Sequence, residues 1–98
     1  MSVSKAYLAI DAHARHCVLG YMDGRGRYIQ DWRFSTSESE LIRHVVNIEA
    51  GKKYLTLEEG PMAFWIAQTL RGYVQAVTIL SAIRTALKPL GTGAFQGL

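Results

Sequence analysis

Asp11 and Glu58 are the residues whose types and placement could do chemistry. Each carboxylate ends a short apolar run, Ala6 to Ile10 in one case and Tyr54 to Leu57 in the other. Runs of this length and composition form buried strands. If the two strands lie side by side and parallel, their ends bring both carboxylates together, about 4.8 Å apart at the backbone. Magnesium takes oxygen ligands and is commonly held by one or two carboxylates plus water and phosphate. Paired metal sites of this kind activate a nucleophile and stabilise a leaving oxygen in phosphoryl transfer. The bland reading is local. Asp favours turns, and Glu58 with Glu59 precedes a helix, whose dipole favours negative charge.

The elements that must position these acids can be read along the chain. Ala6–Ile10 is a first strand and Cys17–Met22 a second, separated by the polar turn Ala12–His16. Asp23-Gly24-Arg25-Gly26 is a hairpin signal, because Asp-Gly accepts positive φ. A third strand follows from Arg27 to Phe34, with Tyr28, Gln30 and Trp32 on one face. Ser35, Thr36 and Ser37 are candidate helix caps, and Ser35/Glu38 and Ser37/Glu40 match the capping-box spacing. Leu41, Ile42, Val45, Val46 and Ile48 make a helical stripe that Gly51 would end. Tyr54–Leu57 is a fourth strand. A second helix opens at Gly60-Pro61, with Phe64, Trp65, Ala67, Leu70 and Tyr73 expected inward and Gly72 closing it. Val74–Leu80 is a fifth strand, Ser81–Leu87 a short third helix stopped by Pro89, and 89–98 a flexible tail after a domain at 1–88.

The order β-β-β-α-β-α-β describes an α/β fold. Strands four and five are reached through helices and should add in parallel by right-handed crossovers. That is the ribonuclease-H-like arrangement, a mixed five-stranded sheet of order 3-2-1-4-5 with helices, in which strand one lies beside strand four.

Several ordered segments carry a family resemblance: Leu8-Ala9-Ile10-Asp11-Ala12-His13, Tyr21-Met22-Asp23-Gly24-Arg25-Gly26, the helix start Ser35 to Leu41, and Thr56-Leu57-Glu58-Glu59-Gly60-Pro61 with Trp65. Together, over residues 6–80, they resemble the N-terminal RuvC-like domain of the DEDD transposases of the insertion-sequence-110 family and their DNA invertase relatives. The resemblance implies DNA transposition by metal-assisted phosphoryl transfer, with magnesium as cofactor and DNA and an element-encoded guide RNA as partners. It makes Asp11 the first acid of the catalytic set and Glu58 the second, with Glu59 as the alternative one register on. The family's third and fourth acids, in Thr-Asp-x-x-Asp, have no counterpart after Leu80, and the serine-bearing C-terminal domain is missing. The chain therefore looks like a truncated or frameshifted transposase, or an excised fragment, without activity of its own.

Composition bounds these readings. The 98 residues are 49% hydrophobic and carry a net charge of +3, one domain with a modest core. No apolar run approaches a membrane span. The opening residues lack a signal peptide's h-region, and the single cysteine, Cys17, suits a reducing cytoplasm. All eight acids fall at or before Glu59, so the last two-fifths of the chain supplies no carboxylate.

The remaining polar and aromatic residues read more simply. His13 and His16 are solvated turn residues without a third ligand, and Cys17 is a small buried hydrophobe. His44 sits at the edge of the first helix. Phe64 and Trp65 are core, and Trp32 and Tyr28 are half exposed. Gly91-Thr92-Gly93 lacks a phosphate loop's context. Arg15, Arg25, Arg27, Arg33, Arg71, Arg84 and Lys88 are a scattered solvated surface that could touch phosphate. Two other function classes stay open. One is a non-catalytic folded remnant that self-associates through an uncovered sheet face or edge. The other is an actin-like nucleotide-binding module, which would need glycines after the first strand's acid, where this chain has Ala12-His13-Ala14-Arg15.

Overall fold

The computed structural model describes residues 4–81. Five strands and two helices follow in the order β1 (Lys5–Ala12), β2 (His16–Asp23), β3 (Tyr28–Ser35), α1 (Glu38–Asn47), β4 (Lys52–Glu58), α2 (Ala63–Leu70) and β5 (Ala76–Leu80). They form one α/β unit with a mixed sheet of order β3-β2-β1-β4-β5. β1, β2 and β3 are an antiparallel meander, and β4 and β5 add in parallel beside β1. The expected third helix and tail, and with them Arg84, Lys88 and Gly91-Thr92-Gly93, lie outside the described residues.

Strict alternation divides the sheet into two faces. Ala6, Leu8 and Ile10 of β1, Cys17 and Leu19 of β2, Phe34 of β3 and Leu55 and Leu57 of β4 are buried against the helices. The helices contribute Leu41, Val45, Ile66 and Leu70, and Ile48 closes the end of α1. The opposite face carries Tyr7, Ala9 and Asp11, and neither helix covers it.

The hairpin between β2 and β3 turns on Asp23. Its Oδ1 accepts from the Arg25 and Arg27 N–H groups at 2.9 and 3.0 Å, while Arg27 Nε donates to Oδ2 at 3.3 Å. Gly26 N–H closes the turn on the Asp23 carbonyl. Positive φ falls on Gly26, at 84°, and not on Gly24. This is where hairpins longer than two residues place their left-handed residue.

A bulge then shifts register, with Tyr21 opposite Gln30 but Met22 opposite Tyr28. Ile29 is the extra residue, and a bulge moves what precedes it to the other face. Trp32 and Tyr28, expected to share a face, are thereby separated. Trp32 packs half-buried beside Tyr21 on the helix side. Tyr28 stands on the open face and donates to Asp31 Oδ2 at 2.7 Å.

Ser37 is the cap of α1 among the three candidates, its Oγ accepting from Glu40 N–H at 3.2 Å. Glu40 does not complete a capping box. Its carboxylate takes two hydrogen bonds from Arg43, at 2.8 and 3.3 Å. The helix ends at Asn47, before Gly51, because Ile48 turns extended and Lys53 Nζ donates to the Val45 carbonyl at 2.8 Å.

In α2 the inward residues are Ala63, Ile66 and Leu70. Phe64 is 70% exposed and Trp65 39%, so the expected aromatic core is corrected. The helix is apolar around most of its circumference, which leaves its phase unspecified by pattern. Spacing of three and four residues selects Ala63/Ile66/Leu70 once Gly60 and Pro61 are spent in the turn before it.

Candidate active site at the ends of β1 and β4

β1 and β4 are paired in parallel with Ile10 beside Leu57. The next position in each strand is Asp11 and Glu58. Both follow the alternation onto the open face, Asp11 after Tyr7 and Ala9, Glu58 after Tyr54 and Thr56. The two acids singled out in the sequence are therefore brought side by side by neighbouring strands. Glu59 follows the end of β4, and its N–H donates to the Leu80 carbonyl at 2.7 Å. Glu58 continues the strand alternation onto the face of Asp11, whereas Glu59 is one position beyond it.

The acids border a concave cavity of about 640 Å³, lined also by Ala9, Gly20, Thr56 and Asp31. Small side chains make its floor. A Cβ on Gly20 would come 3.9 Å from the Ala9 carbonyl oxygen, an ordinary contact, so the glycine deepens the floor without being sterically required. Asp31 was not singled out in the sequence. It lies opposite Gly20 on β2 and so shares the open face. Its signal was parity, which becomes readable only when the hairpin register is known. Tyr28 already engages its carboxylate. Among the described residues, no cluster of three or more His, Cys, Asp or Glu side chains is close enough to hold a metal. The acid pair stands as a pair, with Asp31 elsewhere on the same cavity wall.

The turn after β1 organises the surroundings of Asp11. His13 Nε2 approaches Asp11 Oδ2 at 3.2 Å, and the Asp11 side chain remains 73% exposed. The His13 ring stacks on His16, centroids 4.9 Å apart. Arg33 Nη2 donates to His16 Nε2 at 3.0 Å. Desolvation, then the Arg33 charge, holds the His16 pKa below its ordinary value, which suits a neutral, accepting ring. Thr36 Oγ1 donates to the His13 carbonyl at 2.7 Å, tying the turn to the end of β3. Cys17, fully buried beneath it, contacts Thr36 Oγ1 at 3.3 Å and behaves as a small core residue. His44 is half-buried, its ring stacked 4.1 Å from that of Phe34. Arg27 is held by Asp23 and Arg33 by His16; Arg15, Arg25 and Arg71 are exposed.

Fold and site together define an α/β protein with two carboxylates at the ends of adjacent parallel strands, over an open cavity. No protein-family model matches this sequence, and comparison with curated proteins finds no match. None of the helices among the described residues is long and apolar enough to cross a membrane.

Proposed function

We propose that this chain is the nucleic-acid-acting half-site of a ribonuclease-H-like recombinase, of the DEDD transposase kind that its sequence resembles. The observation that carries the reading is the juxtaposition of Asp11 and Glu58 in a sheet of order 3-2-1-4-5. Glu58 is preferred over Glu59 because it shares the face of Asp11. The donor set fits magnesium: oxygen-only, exposed, and held at fixed spacing by a sheet, with room in the cavity for water and phosphate. Bound there, the ion would supply Lewis-acid stabilisation of a phosphoryl oxygen. The chain's own residues hold the two carboxylates at that spacing, and His13 occupies Asp11 Oδ2 until a cation competes for it. With two carboxylates as its only ligands from these strands, the pair should hold the cation weakly.

Titration calorimetry with magnesium and manganese tests the assignment. The native chain should give a weak binding heat that Asp11→Asn and Glu58→Gln each abolish, while Glu59→Gln retains it. Binding unchanged in Asp11→Asn removes the metal assignment.

One observation favours a second reading, a folded remnant that self-associates. No residue of β5 is buried, and this edge strand carries no charge. Edge strands without charge or cover pair with other strands. A monomer at all concentrations in analytical ultracentrifugation would remove this reading.

A further inference from the structure

β1 and β4 carry nearly the same pattern, Lys-Ala-Tyr-Leu-Ala-Ile-Asp and Lys-Lys-Tyr-Leu-Thr-Leu-Glu, and their parallel register aligns the two segments residue for residue. Lys5 lies beside Lys52, Tyr7 beside Tyr54, and Ala9 beside Thr56. Asp11 and Glu58 complete the series. All four rungs fall on the face that neither α1 nor α2, the helices among the described residues, covers. They form a ladder that runs from a basic pair, through an aromatic pair and a small pair, to the acid pair.

The energetics of the end rungs point outward. Like charges directly opposed on neighbouring strands are destabilising. The sheet places two lysines on one rung at one end and two acids on one rung at the other. Neither Lys5 nor Lys52 takes part in an ion pair among the described residues. A lysine pair of this kind is relieved by an anion, as the acid pair is relieved by a cation. The two rungs are six residues apart, about 20 Å at strand rise. That exceeds the Debye length of about 8 Å, so the rungs do not neutralise each other.

Between them, the Tyr7 and Tyr54 rings stack with centroids 5.5 Å apart and planes 22° off parallel. Tyr7 is 37% exposed. With Tyr54 half-buried beside it, this aromatic pair on the open face offers a surface on which an unpaired base can stack.

We propose that the open face of β1 and β4 is a track for single-stranded nucleic acid. On it a phosphate sits at Lys5/Lys52, a base stacks on Tyr7/Tyr54, and the strand continues over Ala9/Thr56 toward Asp11/Glu58. This rests on the reading that the acid pair acts on nucleic acid, and it adds the path and the unpaired state of the substrate. A duplex offers no free base face to the tyrosines, so the track selects single strands.

Fluorescence anisotropy with labelled oligothymidylate, in EDTA so that the acid pair plays no part, tests the track. The native chain should bind, and prefer the single strand to a duplex of matched length. Tyr7→Leu/Tyr54→Leu should weaken binding on the order of tenfold or more, and Tyr7→Phe/Tyr54→Phe should restore it, because stacking survives without the hydroxyl. Lys5→Gln/Lys52→Gln should lower the salt dependence by about 0.7, the share of the one phosphate the pair holds. Circular dichroism verifies that each variant folds. Absent binding, duplex preference, or affinity indifferent to the leucine pair would overturn the track. Magnesium binding by calorimetry reads the acid pair separately. Its loss in Asp11→Asn, with oligonucleotide affinity intact, would leave both proposals standing. Its absence from the native chain would remove the metal reading alone.

Discussion

Asp23 shows how one side chain can hold a local structure and couple it to pH. Two backbone N–H groups and one guanidinium converge on its carboxylate. The backbone hydrogen bond from Arg27 is the first cause holding its pKa below the ordinary aspartate value. A group whose folded pKa is depressed contributes stability that is complete above its unfolded pKa and lost as pH falls through the folded one. Asp23→Asn keeps one acceptor oxygen but cannot titrate. Thermal melts across the acid range should therefore show a shallower loss of stability in Asp23→Asn than in the native chain. At the start of α1, removing the single capping oxygen by Ser37→Ala should cost about 1 kcal/mol in chemical denaturation. Ser35→Ala should cost much less, because Ser37 is the cap. Both expected capping boxes had the right spacing. Spacing alone could not show that only the Ser37 half of the Ser37/Glu40 pair forms, because the Glu40 carboxylate turns to Arg43.

At the scale of elements, the helix-side core is where burial does its work. Leu41 on α1 and Ile66 on α2 are fully buried, while Val46 and Phe64 on the same helices are exposed. Leu41→Ala and Ile66→Ala should each destabilise by about 2–5 kcal/mol. Phe64→Ala should change stability little, which is the direct test of the α2 phase. Element order, the antiparallel opening and the parallel addition of β4 and β5 were legible in the sequence, because period-2 runs alternate with capped helical stripes and crossovers have one hand. The inward face of α2 was not legible, because a helix apolar on most sides buries whichever face the neighbouring strands select. The separation of Tyr28 from Trp32 was equally hidden. It depends on one extra residue in β3, and composition does not mark a bulge.

For the whole molecule, α1 and α2 cover one face of the sheet among the described residues, and the β5 edge has no buried residue, with only Val77 half-buried against the core. The two edges differ in kind. β3 carries Asp31 and Arg33, charges that discourage strand pairing, whereas β5 is Ala-Val-Thr-Ile-Leu. Placing a charge on that edge by Thr78→Lys should shift the chain toward monomer in sedimentation velocity. The fold should be unaffected, since Thr78 is exposed. Thr78 stands beside Thr56 on the open face, but the variant leaves the lysine and tyrosine rungs intact and adds a positive charge, so oligonucleotide binding should not fall.

The sequence by itself determined which residues end strands, which runs alternate, and that Asp11 and Glu58 each stand one step past an apolar segment. These are properties of local pattern, carried by side-chain volume, polarity and turn chemistry. Tertiary structure alone decided what those residues meet. The parallel register of β1 and β4 put Asp11 beside Glu58, Tyr7 beside Tyr54 and Lys5 beside Lys52. The hairpin register put Asp31 on the same cavity wall. Register is a relation between segments far apart in the chain. It is set by the shared burial of Leu8, Ile10, Leu55 and Leu57 under the helices, and a slip of one residue would turn every one of those side chains to the other face.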